Sequence, residues 1–216
     1  MRVIITCGPS HEPIDGVRRL TNFSTGELGL LLAAELARAG HEVVCLKGEG
    51  AVSRVEPGAA RVVEFSTNAD LLARLRALCG SGARSADAVF HAAALCDYEM
   101  ASAASGGAVV TAKKIPTSAG EVTLTLRPAV KLLPELRGLF PDAKIVGWKY
   151  ELDGGRAEAE AKGRAQIAAN ATDACVVNGA AWGAGFGFVE RGGGVMELAD
   201  KPALCAFLAR WLGARK

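Results

Sequence analysis

Short runs of consecutive apolar residues alternate along this chain with longer stretches in which apolar positions recur every third or fourth residue. Runs of the first kind suit strands buried on both faces, and stretches of the second kind suit helices with one face on a core. Residues 2–6 read as a strand, residues from about 26 to 39 as a helix ended by Gly40, and residues 42–46 as a second strand. Together they form a βαβ unit. Further strands are predicted at 61–65 and 88–93, separated by a helix over 68–79 that sets Leu71, Leu72 and Leu75 on one face. After Asp97 the rhythm changes. Small residues and glycines over 101–107 precede Val109, Val110 and Thr111, and the run 122–126 alternates strictly, which predicts a hairpin-like excursion over about 99–127 with Lys113 and Lys114 near its tip. The α/β rhythm resumes with a helix near 129–139, a strand at 144–150, a helix at 156–169 and a strand at 174–178. A glycine-rich segment over 179–187 then leads to two short strands around Gly192, Gly193 and Gly194 and a final amphipathic helix over about 201–212. The predicted fold class is α/β, a Rossmann-like and mostly parallel sheet with helices on both faces and a small β excursion, in one domain over 1–216.

Composition narrows the picture further. Half of the 216 residues are hydrophobic, enough for a core of ordinary size. A formal charge of +2 gives no support for a polyanion-binding surface, and no nucleic-acid partner is expected. The cysteines at 7, 45, 79, 96, 175 and 205 stand singly in apolar surroundings, without metal-ligand spacing, and read as reduced core residues. The first apolar run is too short for a signal-peptide core and no later run reaches membrane-spanning length, so a soluble, cytoplasmic protein without membrane contact is expected.

Candidate chemistry concentrates between Gly8 and Gly29, after the first strand and into the first helix. Ser24 and Glu27 have capping-box spacing, and Thr25 and Gly26 offer backbone N–H groups at a positive helix end that stabilises a phosphate or carboxylate. Arg18 and Arg19 are adjacent, so on an extended segment only one of them faces a site. Asn22 taken alone suits a local turn bond to its own backbone more often than a catalytic contact. Neither GxxxxGK[ST] nor GxGxxG occurs in the first loop, which argues against P-loop chemistry and ordinary dinucleotide binding. The other predicted strand ends then become the place for a nucleotide: His91, Ala92 and Ala93 running to Asp97, Trp148 running to Glu151, and Asn178. His91 in an apolar run also fits a core histidine, and Trp148 a core aromatic.

In order and spacing these segments resemble phosphopantothenoylcysteine synthetase, also called phosphopantothenate-cysteine ligase. The resemblance rests on Gly8-Pro-Ser-His-Glu-Pro-Ile-Asp15, Arg18-Arg-Leu-Thr-Asn22-Phe-Ser-Thr-Gly26-Glu-Leu-Gly29, Ala93-Ala-Leu-Cys-Asp97-Tyr98, Lys114-Ile115, Gly147-Trp-Lys-Tyr-Glu151 and Asp173-Ala-Cys-Val-Val-Asn178. It implies a ligase of coenzyme A biosynthesis that joins 4'-phosphopantothenate to L-cysteine through an acyl-nucleotidylate, with CTP or ATP as co-substrate and Mg²⁺ as cofactor. By the same resemblance Asn22 and Lys114 are catalytic, Asn22 holding the acyl intermediate and Lys114 neutralising the triphosphate. Gly8, Arg18, Ser24, Thr25 and Gly26 bind the acid substrate. His91, Ala92, Ala93, Asp97, Lys114, Trp148, Glu151 and Asn178 bind the nucleotide, while metal ligands are unassigned. The chain begins where many bacterial relatives continue from a flavin-dependent decarboxylase domain, so no flavin is expected, and the resemblance implies a homodimer formed partly through the excursion. Three departures stand out: the turn Pro9-Ser10-His11, a lysine loop reduced to Lys113 and Lys114, and Gln166 and Asn170 where many bacterial members carry lysines. They leave a diverged nucleotide-binding homologue without turnover as the alternative, and an NAD(P)-dependent reductase as a third reading.

Overall fold

The computed structural model describes residues 1–79, 85–111 and 113–214. In chain order the elements are β1 (Arg2–Cys7), β2 (His11–Pro13), β3 (Arg19–Thr21), α1 (Glu27–Arg38), β4 (Glu42–Gly48), β5 (Arg61–Phe65), α2 (Asn68–Cys79) and β6 (Ala88–His91). There follow β7 (Tyr98–Ser105), β8 (Ala108–Val109), β9 (Thr123–Pro128), α3 (Leu133–Leu139), β10 (Lys144–Tyr150), α4 (Arg156–Asn170), β11 (Ala174–Asn178), β12 (Phe186–Glu190), β13 (Val195–Leu198) and α5 (Lys201–Gly213).

Eight strands form the main sheet in the order β13-β12-β11-β10-β6-β1-β4-β5. The six from β11 to β5 run parallel, and β12 and β13 extend the sheet antiparallel. Taken in chain order the parallel strands give the doubly wound arrangement 3-2-1-4-5-6, which reverses direction between β1 and β6. This bears out the predicted fold class. Alternation along β1 shows how the layers form. Val3, Ile5 and Cys7 point into the cluster under α1 and α5, while Ile4 points into the cluster under α2 and α3. The face carrying Cys175 and Val177 of β11 is covered by α4 through Ala159 and Ile167. Every residue of β6 is buried, as expected for a strand near the middle of a parallel sheet.

Two local expectations change. Residues 101–105 belong to β7, the central strand of a separate three-stranded sheet in the order β8-β7-β9, so the excursion is more than a hairpin. The helix expected from residue 129 begins only at Leu133, where Pro134 in the first turn supplies the fixed φ that suits a helix start. All six cysteines are free thiols and five are buried, as the apolar surroundings predicted.

Candidate functional site

The carboxyl ends of β1, β6, β10 and β11 open into a cavity of about 850 Å³ beside the reversal of strand order. Gly8 lines it after β1, and Ser24, Thr25, Gly26 and Glu27 line it at the start of α1. Ala92, Ala93, Ala94 and Asp97 contribute the segment after β6, Trp148 and Lys149 the end of β10, and Asn178 the end of β11. Three alanines in succession let a flat group approach backbone without a side chain intervening. A second cavity of about 400 Å³ adjoins the first and is lined by Pro9, His11, Arg19 and Thr21. Asn22, Phe23, Ser24 and Thr25 line both.

Backbone pairing beyond the strands holds this region in place. The Ala94 N–H donates to the Gly8 carbonyl at 2.9 Å, the Ser10 N–H donates to the Ala94 carbonyl at 3.2 Å, and the buried Ser10 hydroxyl accepts from the Cys96 N–H at 2.8 Å. The unusual Pro9-Ser10-His11 turn thus stitches the β1 loop to the β6 loop. Gly8 and Gly26 have φ of 75° and 76°, and a Cβ on either would press on Ala51 at 2.8 and 2.9 Å. Both positions combine left-handed backbone with close approach, so glycine meets two demands at once. Glu12, 7 % exposed, accepts from the Asn68 N–H at 3.1 Å and so braces the start of α2.

Asn22 donates its side-chain amide to the Leu95 carbonyl at 2.7 Å. That bond spans the β3–α1 and β6–β7 loops and fixes the side chain on the divide between the two cavities. The capping box does not form. Gly26 is the residue before α1 and no side chain caps the helix, because the helix starts two residues later than the Ser24 cap requires and Glu27 falls in its first position. The Thr25 hydroxyl accepts from the Glu27 N–H at 3.3 Å, and the Glu27 carboxylate turns away to the Lys201 ammonium.

The structure therefore brings together Gly8, Asn22, Ser24, Thr25, Gly26, Ala92, Ala93, Asp97, Trp148 and Asn178 around one cavity. Four other named residues lie elsewhere. Arg18 donates to the Ile115 carbonyl at 2.5 Å and pairs with Asp15 at 3.3 Å, leaving its neighbour Arg19 to line the smaller cavity. Asp15 also accepts from the Ile115 N–H at 3.1 Å, so the Asp15 to Arg18 turn clasps the lysine loop and Lys114 lines neither cavity. His91 is buried against the Thr6 hydroxyl at 2.7 Å, and burial pushes its imidazole down to about 4, which keeps it neutral. Glu151 is held by Lys162 and by Lys149 at 3.2 Å, and those cations, Lys162 foremost, lower its pKa.

Trp148 serves both of the roles weighed for it: its ring packs on the α1 and α5 side of the core and also lines the cavity. Its indole N–H is buried and has no acceptor among the described residues. Gln166 lines the cavity and donates to the Trp148 carbonyl at 3.1 Å, whereas Asn170 donates back to its own helix at the Gln166 carbonyl, 2.8 Å away. Arg164 pairs with Glu160 at 2.7 Å and takes no part in the cavity. Sequence reasoning missed Lys201 as a site residue, since a lysine opening the last helix looks like ordinary surface charge. It also missed Phe23, fully exposed where the two cavities meet.

An open doubly wound sheet with a ligand-sized cavity at its topological switch, bordered by an uncapped helix start, defines a Rossmann-like small-molecule-binding protein. Residues 1–200 match the DNA/pantothenate metabolism flavoprotein C-terminal domain family, and the chain belongs to that family. It is 32% identical over 187 residues to the coenzyme A biosynthesis bifunctional protein CoaBC of Bacillus subtilis, covering 86% of this chain and 42% of that protein. The chain thus spans less than half the length of that relative. Among solved structures, the DNA/pantothenate metabolism flavoprotein from Streptococcus pneumoniae superposes with a TM-score of 0.86 at 22% identity, covering 99% of this chain and 98% of the other. A Cab2 mutant in complex with phosphopantothenate-cysteine superposes with a TM-score of 0.71 at 17% identity, over 99% of this chain and 85% of that one. At these identities the structural likeness speaks for the fold.

Proposed function

We propose that this chain joins 4'-phosphopantothenate to L-cysteine in coenzyme A biosynthesis, using CTP or ATP. The observation that carries this reading is the convergence of Asn22, the uncapped α1 start, the Ala92–Ala94 backbone and Asp97 on one cavity. Family membership and the sequence relationship to CoaBC support it. The reaction has two steps. The substrate carboxylate attacks the α-phosphorus of the nucleotide, forming an acyl-nucleotidylate and releasing pyrophosphate. The cysteine amine then attacks the acyl carbon, which forms the amide and expels the nucleoside monophosphate.

In this reading the alanine segment and Trp148 receive the base, and Asp97 and Asn178 bond the sugar or base edge. Backbone N–H groups at the start of α1 take phosphate oxygens, because amides left without a helical partner and the positive helix end favour an anion. Asn22 sits at the junction where the acyl group meets the nucleotide and orients it through an amide already anchored on Leu95. Among the described residues no cluster of three or more His, Cys, Asp or Glu side chains suits a metal ion. Mg²⁺ would be carried largely by the phosphates of the nucleotide, where it would offset their charge. Lys114 has a part only if its loop reaches a cavity from its clasped position, in the same chain or in a second copy.

A homodimer belongs to the same proposal. All six residues of β9 are exposed, with Leu124 and Leu126 at 38% and 42%, so this strand offers an apolar edge that a second copy would cover. Among the described residues no helix is long and apolar enough to cross a membrane. The first step is tested by exchange of labelled pyrophosphate into CTP or ATP. Exchange that needs 4'-phosphopantothenate but not cysteine supports the acyl-nucleotidylate, and exchange with neither nucleotide refutes it. Binding of a nucleotide without exchange would favour a diverged binding homologue.

A further inference from the structure

We infer that Lys201 is a substrate-binding residue that takes a phosphate group in the main cavity, with Glu27 holding its ammonium in place until the anion arrives. This rests on the ligase reading above. Lys201 opens α5 and lines the cavity beside the start of α1, and its ammonium pairs with the Glu27 carboxylate across 174 positions of sequence. A cation in the first turn of a helix faces the positive end of the dipole, so local electrostatics disfavours lysine there. Asp200 already caps α5 by accepting from the Ala203 N–H at 2.8 Å, so Lys201 contributes nothing to the cap. A residue that breaks a local rule beside a cavity marks a functional position.

Glu27 suits the positive end of α1, but in the first turn its charge would oppose a phosphate bound at the same helix start. Lys201 removes that conflict by neutralising Glu27 in the free protein and bridging to the incoming anion in the complex. Among the described residues the other cation lining the cavity is committed elsewhere: Lys149 pairs with Glu151 at 3.2 Å. The Lys201 and Glu27 side chains are 41% and 40% exposed, so the ammonium is reachable and the pair is readily exchanged. The phosphate could come from the nucleotide or from the phosphorylated acid.

Calorimetric titration of the full chain with MgCTP, MgATP and 4'-phosphopantothenate, on wild type, Lys201→Met, Lys201→Arg and Glu27→Gln, tests the inference. Lys201→Met is expected to weaken the ligand whose phosphate it holds by about 10-fold or more, as the loss of one charge-assisted bond predicts, while Lys201→Arg retains most of the affinity. Glu27→Gln frees the lysine and leaves that affinity equal or higher. A loss confined to nucleotide or to phosphopantothenate identifies the source of the phosphate. If wild type binds and Lys201→Met binds every ligand equally well, with only thermal stability reduced, the pair is a fastener between α1 and α5 and the inference falls alone. If wild type binds none of them, the ligase reading falls with it.

Discussion

Replacing Gly29 by alanine separates the packing argument from simple helix propensity, because the two predict opposite signs. Gly29 is in the first turn of α1, where alanine would ordinarily stabilise by about 0.5–1 kcal/mol. A Cβ at this position would overlap the Cys7 side chain of β1, and Cys7 is buried. Strand and helix are both at the centre of the sheet-helix contact, so neither yields freely, and overpacking of this kind costs about 1–3 kcal/mol. The net expectation is a loss of about 1–2 kcal/mol, which for a chain of this length lowers Tm by about 2–8 °C. Thermal and urea unfolding measure it directly. The same substitution shifts the α1 start away from the cavity that Gly29 and Cys7 line, so nucleotide affinity should fall with stability. Adding Cys7→Gly removes the overlapping atoms, and the double variant should be more stable than the sum of the two single changes predicts, by about 1 kcal/mol. A Gly29→Ala protein with a raised Tm would refute the close approach of helix and strand.

Three further outcomes follow from the site and its surroundings. Asn22→Asp replaces the amide that donates to the Leu95 carbonyl with a carboxylate that repels it; pyrophosphate exchange should survive while amide formation falls by about 10-fold or more, and unchanged product formation would remove Asn22 from its role. His91 titrates near 4 when folded and near 6.5 when unfolded, so its neutral form is matched above 6.5 and stability drains away as pH falls through that interval, by about 3 kcal/mol in all. In His91→Asn that part of the acid loss measured by urea unfolding should vanish; an unaltered pH profile would show that His91 is not the group responsible. Leu126→Lys places a charge on the exposed β9 strand and should convert a dimer to monomer in sedimentation velocity without loss of fold, whereas a wild-type protein that sediments as a monomer contradicts the interface.

The sheet was legible because its strands are buried on both faces and so appear as unbroken apolar runs, as in Val3-Ile4-Ile5 and Cys175-Val176-Val177. The excursion was less legible. From Ala101 to Ser105 its strand β7 holds only alanine and serine, whose small side chains carry no period-two signal. Ten of the named site residues line the main cavity because they lie at or just beyond the carboxyl ends of strands or before the start of α1; the ends of β10 and β11 were correctly placed, whereas β6 stops at His91, short of the predicted residue 93, and leaves Ala92 and Ala93 in the loop. Arg18, Lys114 and Glu151 lie outside it for a reason sequence does not show: each is held by a bond to a segment remote along the chain or by a neighbouring lysine. His91 is the core histidine that its apolar run suggested, and its imidazole belongs to the sheet interior. Lys201 entered the cavity only through the packing of α5 on α1, which no local pattern announces.

The central claim is that the Asn22 cavity makes an amide at the expense of a nucleotide's α-phosphate bond. Incubating the protein with 4'-phosphopantothenate, L-cysteine, Mg²⁺ and either CTP or ATP, and following product mass together with pyrophosphate, measures it in one experiment. The account predicts phosphopantothenoylcysteine and pyrophosphate in equal amounts with at least one nucleotide, no phosphopantothenoylcysteine when any one of the four components is left out, and, when cysteine alone is omitted, pyrophosphate limited to a single turnover per site. Nucleotide bound but no pyrophosphate released with either CTP or ATP would contradict it.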